Sequence, residues 1–175
     1  MLFSRDYSFR GKHALYVEKL KEKLFSRDID VYIIAPVLGV YYKRTASVDN
    51  TDDKTEKILT EQLVRERRKL EFAYKLVLLC DEKYTKYENL EERIKRVFSN
   101  KEEIIKENMK IFNEYVLGGV EILYEKIIEE NEEDSIEGFK KFANDFIDEA
   151  KKNQTLEKDL QEIFEHLESE NYSSD

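Results

Sequence analysis

One cysteine, one proline, five glycines and two histidines are spread over 175 residues, and each scarcity removes a class of structure or chemistry. A lone thiol, Cys80, leaves no intramolecular disulfide to staple the chain. Its neighbours Leu76, Val77, Leu78 and Leu79 mark it as a small buried hydrophobe. So few Pro and Gly argue against a β-sandwich or a loop-rich α/β fold, which need turn residues at regular spacing. His13 and His166 lie near opposite ends of the chain and match no metal-ligand spacing. His166 sits in a charged amphipathic pattern, where a solvated face is expected. A di-iron bundle needs Glu-x-x-His on two helices, yet Glu165 and His166 are adjacent. No apolar run approaches the ~20 residues of a membrane span. The longest, residues 31–42, is interrupted by Pro36 and Gly39. The first residues lack the basic, apolar and small-residue regions of a secretory signal. These absences predict a cytoplasmic, non-enzymatic chain with no catalytic residue, no cofactor and no metal.

What is present is apolar material in a charged shell, at 41% and 39% of residues. With 21 Tyr and Phe between them, the disorder signature of low hydrophobicity and few aromatics is not met. The formal charge of -9 is uneven. Residues 126–175 hold six Lys against sixteen Asp or Glu, whereas residues 1–44 hold nine basic against five acidic side chains. The acidic last third repels nucleic acid, and the N-terminal quarter mildly attracts it.

Hydrophobic period then orders the chain. Residues 1–11 read as a leader ending at Gly11. Leu15, Val17, Leu20, Leu24 and Phe25 give an amphipathic helix over 12–25. Residues 29–44 are apolar nearly all round; Pro36 counts against a central strand, so a buried central helix is predicted. Small polar residues make 45–54 a loop, and a long helix follows over about 55–80. Thr85 and Glu88 have capping-box spacing, and Asn100 and Glu103 repeat the start signal. The best stripe, Ile105, Met109, Phe112, Val116, Gly119, Leu123 and Ile127, follows. Two shorter helices carry Ile136, Phe139, Phe142, Phe146 and then Leu156, Leu160, Ile163, Leu167. The prediction is an all-α, single-domain bundle of about six to seven helices over 1–168, with a buried central helix at 29–44. Residues 169–175 are expected to be a disordered tail.

Three features bear on partners. Arg65, Arg68 and Lys69 share one face of the 55–80 helix, with Glu61 and Glu66 within a turn. Together with Lys12 and Arg44 they form a candidate nucleic-acid contact of salt-dependent affinity. Gly11-Lys12-His13 lacks the earlier glycine of a P-loop, which leaves only a helix N-terminus for phosphate. Gly118 and Gly119 cost roughly 1 kcal/mol each inside a helix, which points to close approach of another backbone, in the same chain or in a partner. Tyr41 and Tyr42 suit either a core edge or an interface.

The stretch from Asp28 through Ala35, Leu38 and Gly39 to Arg44 is an Asp-initiated apolar run with Ala, then Leu-Gly, ending in a basic residue and a polar loop. It resembles the small all-α accessory proteins of bacterial phosphorothioation (Dnd-type) anti-phage systems, with Pro36 as a departure from their pattern. The resemblance implies an accessory or adaptor subunit working beside larger ATPases or nucleases. Protein partners or self-association are expected; a nucleic-acid-contacting helical module is the alternative.

Overall fold

Tyr7 and Phe9 alternate with Ser8 and Arg10, a period of two that suits a strand with one face on the core. The computed structural model describes residues 2–85, 88–130 and 134–152, and there this segment is β1 (Tyr7–Arg10). It pairs antiparallel with β2 (Thr55–Ile58), Tyr7 opposite Ile58 and Arg10 opposite Thr55. The expected leader is therefore partly strand, and the helix expected from Thr55 begins later. Burial decides both corrections. Phe9 and Ile58 are fully buried, and the Tyr7 and Phe9 rings lie 4.4 and 6.1 Å from that of Tyr32. A two-stranded ribbon is marginal alone in water and is stabilised by such packing.

The chain divides into two compact units, Met1–Gly138 and Phe139–Asp175. The first contains the ribbon with α1 (Lys12–Lys23), α2 (Asp28–Tyr41), α3 (Thr60–Arg65), α4 (Arg67–Cys80), α5 (Leu90–Val97) and α6 (Glu102–Tyr124). A π-helical turn, Glu125–Glu129, prolongs α6. α7 (Ser135–Lys152) starts in the last residues of the first unit, where the Asp134 carboxylate caps it by accepting from the N–H groups of Ile136 and Glu137; the second unit is described over 139–152. Apart from the short ribbon the fold is all-α, with seven α-helices among the described residues. No helix among them is long and apolar enough to cross a membrane. The helix expected over 155–167, His166 and the tail at 169–175 lie outside the described residues.

The apolar run that periodicity leaves ambiguous is α2, buried through Ile29, Val31, Tyr32, Ala35, Pro36, Leu38 and Gly39. Pro36 sits inside the helix without ending it. The stop comes at Lys43 (φ 53), where its N–H donates to Val40 and that of Arg44 donates to Gly39. This is a Schellman ending with a lysine in the left-handed position that glycine usually takes. The helix thus closes three residues before Arg44. Tyr32 anchors the core, its ring edge-on to Phe3 and Phe112 at 6.5 and 5.8 Å, its hydroxyl donating to Asn113.

Two local expectations are corrected further along. The single helix over 55–80 breaks at Glu66 (φ -96, ψ 14), because its carboxylate is drawn to Arg27 and Lys69, at 3.0 and 2.8 Å. The start of α3 is capped from a distance: Asp6 accepts from both the N–H and the hydroxyl of Thr60. The capping box lies not at Thr85 and Glu88 but at Asn89 and Glu92, which exchange side-chain and backbone bonds. Thr85 is taken up by the end of α4, where its hydroxyl donates to the Asp81 carbonyl. At the start of α6, Asn100 lies one residue before the Lys101 cap position and caps nothing.

Candidate functional site

Gly39 on α2 and Gly118 and Gly119 on α6 let two helical backbones meet without side chains between them. A Cβ on Gly119 would overlap the Ala35 carbonyl and stand 2.9 Å from its Cα. One on Gly118 would overlap the Arg44 carbonyl, and one on Gly39 would overlap that of Tyr115. The backbone that Gly118 and Gly119 admit is the chain's own α2 and the turn after it, and Gly39 admits that of α6 in return. Tyr41 and Tyr42 sit at the end of α2, half-buried, with their rings edge-to-face at 5.0 Å.

This close crossing carries Arg44 over α6 and onto Glu121. Glu121 is buried at 7% exposure and receives Lys12 at 2.7 Å, Arg44 at 2.8 Å and the His13 Nε2 at 3.2 Å. Arg44 also forks onto Glu125 at 2.6 Å. Asp49 closes the other side, accepting from the Lys12 N–H at 2.8 Å while Thr51 holds its second oxygen. Gly11 (φ 54) permits this approach, since a Cβ there would overlap Asp49. The polar group is therefore assembled from α1, the turn after α2, the 45–54 loop and α6.

Electrostatics follow from that geometry. Burial pushes the Glu121 carboxyl up, but hydrogen bonds from Lys12 and Arg44 outweigh it and leave it below the usual carboxylate value. Burial lowers the His13 imidazole, more than its contact with Glu121 raises it. A carboxylate can only accept, so a neutral His13 carries its proton on Nε2, and its buried Nδ1 has no hydrogen-bond partner among the described residues. Hydrogen bonds from Lys12 and Thr51 hold Asp49 down at about 2. Lys12 is raised by its bond to Glu121, and Arg44 by its bonds to Glu125 and Glu121. His13 is fully buried, so it faces no solvent from which a substrate would arrive. Among the described residues no group of three or more His, Cys, Asp or Glu is placed to hold a metal ion.

The five cations singled out from the sequence do not share a face. Lys12 and Arg44 turn toward Glu121, and Lys69 pairs with Glu66. Arg65 ends α3 and Arg68 is the second residue of α4; both are exposed and make no ion pair among the described residues. Glu121, Glu125, Asp49 and Gly39 escaped sequence reasoning. Glu121 did leave a signal, as the one charge inside the apolar run 116–124. Cys80 is half-buried rather than buried, because it borders a cleft of about 490 Å³ with Val40, Lys43, Lys83, Arg93 and Tyr115. Beneath that cleft the Tyr115 hydroxyl donates to buried Asp81 at 2.6 Å.

Comparison with known proteins adds one finding. The model of a family described as DNA sulphur modification system-associated protein 4 matches residues 12–164. No curated protein matches the chain, and no solved structure does.

Proposed function

The chain belongs to the DNA sulphur modification system-associated protein 4 family, and on that premise we propose that it is a non-enzymatic adaptor that docks other subunits of such a system in the cytoplasm. Family membership carries the reading. The same class is implied by the resemblance of residues 28–44 to Dnd-type accessory proteins. The Glu121 group supports it from chemistry. Its histidine is buried and its carboxylate is held by cations, an arrangement suited to fixing a fold and poorly suited to turnover. A docking surface is available on the second unit, where Phe139 and Ile147 of α7 are exposed.

The test is co-expression of the tagged full chain with the other subunits of a DNA sulphur modification system, followed by size exclusion with light scattering. A stoichiometric complex that Phe139→Asp or Ile147→Asp disrupts is expected. A chain that stays alone with every subunit offered overturns the proposal.

A second reading, nucleic-acid contact, is favoured by one observation. Arg65 and Arg68 are exposed cations that spend no charge on the protein's own carboxylates among the described residues. An acidic chain whose described residues leave two neighbouring arginines unpaired has a place for phosphate oxygens.

A further inference from the structure

Phe72 is the most exposed large apolar side chain among the described residues, at 69%. Singly exposed hydrophobics are ordinary, so exposure alone decides nothing. Its neighbours do. Arg68, Phe72 and Lys75 occupy positions i, i+4 and i+7 of α4, opposite the buried Leu70, Ala73 and Val77. The Lys75 ammonium lies 5.1 Å from the ring centre of Phe98, itself 49% exposed. Arg65 stands one turn upstream, at the end of α3. Cations and aromatic faces therefore lie side by side on the outer face of α4: Arg68, Phe72 and Lys75 in succession, with Phe98 beside Lys75.

Two of the carboxylates nearest this surface hold other cations. Glu66 holds Arg27 and Lys69, and Glu71 holds Arg67 at 2.6 Å. Glu61, four residues before Arg65, makes no ion pair with it among the described residues. At the Phe98 end the surface runs into a cleft of about 340 Å³ that Lys75, Phe98, Ser99 and Asn100 help to line. That volume lies in the range of small-ligand clefts.

We infer that the outer face of α4 is a platform for single-stranded nucleic acid, with Phe72 and Phe98 stacking on bases and Arg65, Arg68 and Lys75 meeting phosphates. The inference rests on the second reading above and specifies it. Exposed aromatic faces match bases that are themselves unstacked, and every base offers such a face. A duplex hides its base faces, so it offers Phe72 no stacking partner unless a base step is wedged open. Phenylalanine has no hydrogen-bonding group with which to read a groove edge. The surface is cationic on a chain of formal charge -9, which favours a polyanion over an acidic copy of the chain itself.

The test is fluorescence anisotropy of the full chain with a labelled oligothymidylate of about 20 nucleotides, its abasic counterpart and a duplex of equal length. Intact single strand is expected to bind best, with the abasic strand and Phe72→Leu each weaker by roughly ten-fold or more. Three phosphate contacts give a slope of about -2 for log K against log salt, and Arg68→Glu is expected to flatten it. Circular dichroism reports that these surface variants stay folded. Equal binding of intact and abasic strands, or a preference for duplex, overturns the platform and leaves general nucleic-acid contact standing. No binding of any strand at low salt overturns both. If Phe72→Leu binds the strand unchanged while Phe72→Asp loses a partner subunit, the face is a protein interface and the inference fails.

Discussion

Gly119 and Ala35 bring the backbones of α6 and α2 together so closely that a single methyl on the glycine would overlap the alanine carbonyl. An alanine there would gain the roughly 1 kcal/mol of helix propensity that glycine forgoes. It would lose more by forcing two helices apart, since overpacking against backbone has no soft side chain to yield. Gly119→Ala is expected to destabilise the protein by about 3 kcal/mol net, read as a lower urea midpoint at unchanged slope. Gly11→Ala, at a positive φ and against Asp49, should also destabilise.

Glu121 is the acceptor on which Lys12, His13 and Arg44 converge. Glu121→Gln keeps the volume and removes the charge, leaving the cations without their shared partner. A loss of about 2 kcal/mol is expected, in line with hydrogen bonds to charged groups. Glu125→Gln removes only the more exposed half of the Arg44 fork and should cost less. Denaturant titrations of the two variants, side by side, check the order. Equal losses would show that burial of Glu121 contributes nothing.

Acid should destabilise the protein in a window set by His13. Glu121, Lys12, Asp49 and Tyr16 surround this imidazole, and burial lowers its affinity for a proton below that of the unfolded chain. The unfolded state therefore binds the extra proton first. Stability is complete above the ordinary imidazole value of about 6.5 and falls as pH drops below it. Glu121, also lowered, adds a second loss below the ordinary carboxylate range. The melting temperature should fall progressively from about pH 7 to pH 5. His13→Gln should flatten that part of the profile while leaving the more acidic limb in place.

Lys43 closes α2 in a left-handed conformation that costs a non-glycine residue roughly 1 kcal/mol. Its ion pair with Glu82 is exposed at both ends, so little opposes a change. Lys43→Gly is expected to raise stability by up to about 1 kcal/mol, measured as a shift in melting temperature. Glu82→Gln, which touches only the pair, should leave stability within the experimental error.

Much of the helical architecture was legible because a 3.6-residue period needs no distant partner to be read. The stripe of α6 and the cost of Gly118 and Gly119 are visible in one dimension, as is the apolar run that becomes α2. The four-residue strands were not, since Tyr7 and Ile58 signal a ribbon only once they face each other across 51 positions of chain. The break at Glu66 was hidden for the same reason, because Arg27, one of the cations that hold it, arrives from another part of the sequence. The arginines showed the limit most clearly. Composition counted Arg44 and Arg68 alike, yet one is bound to Glu121 and Glu125 and the other faces solvent.

By itself the sequence determined the all-α class, the amphipathic faces, the uneven charge and the likeness to Dnd-type accessory proteins, all of which are local patterns. Only the tertiary structure decided which charges are neutralised, where two backbones touch, and which aromatic side chains stay in water. Those depend on residues far apart in the chain meeting in space, and neither periodicity nor composition encodes that distance.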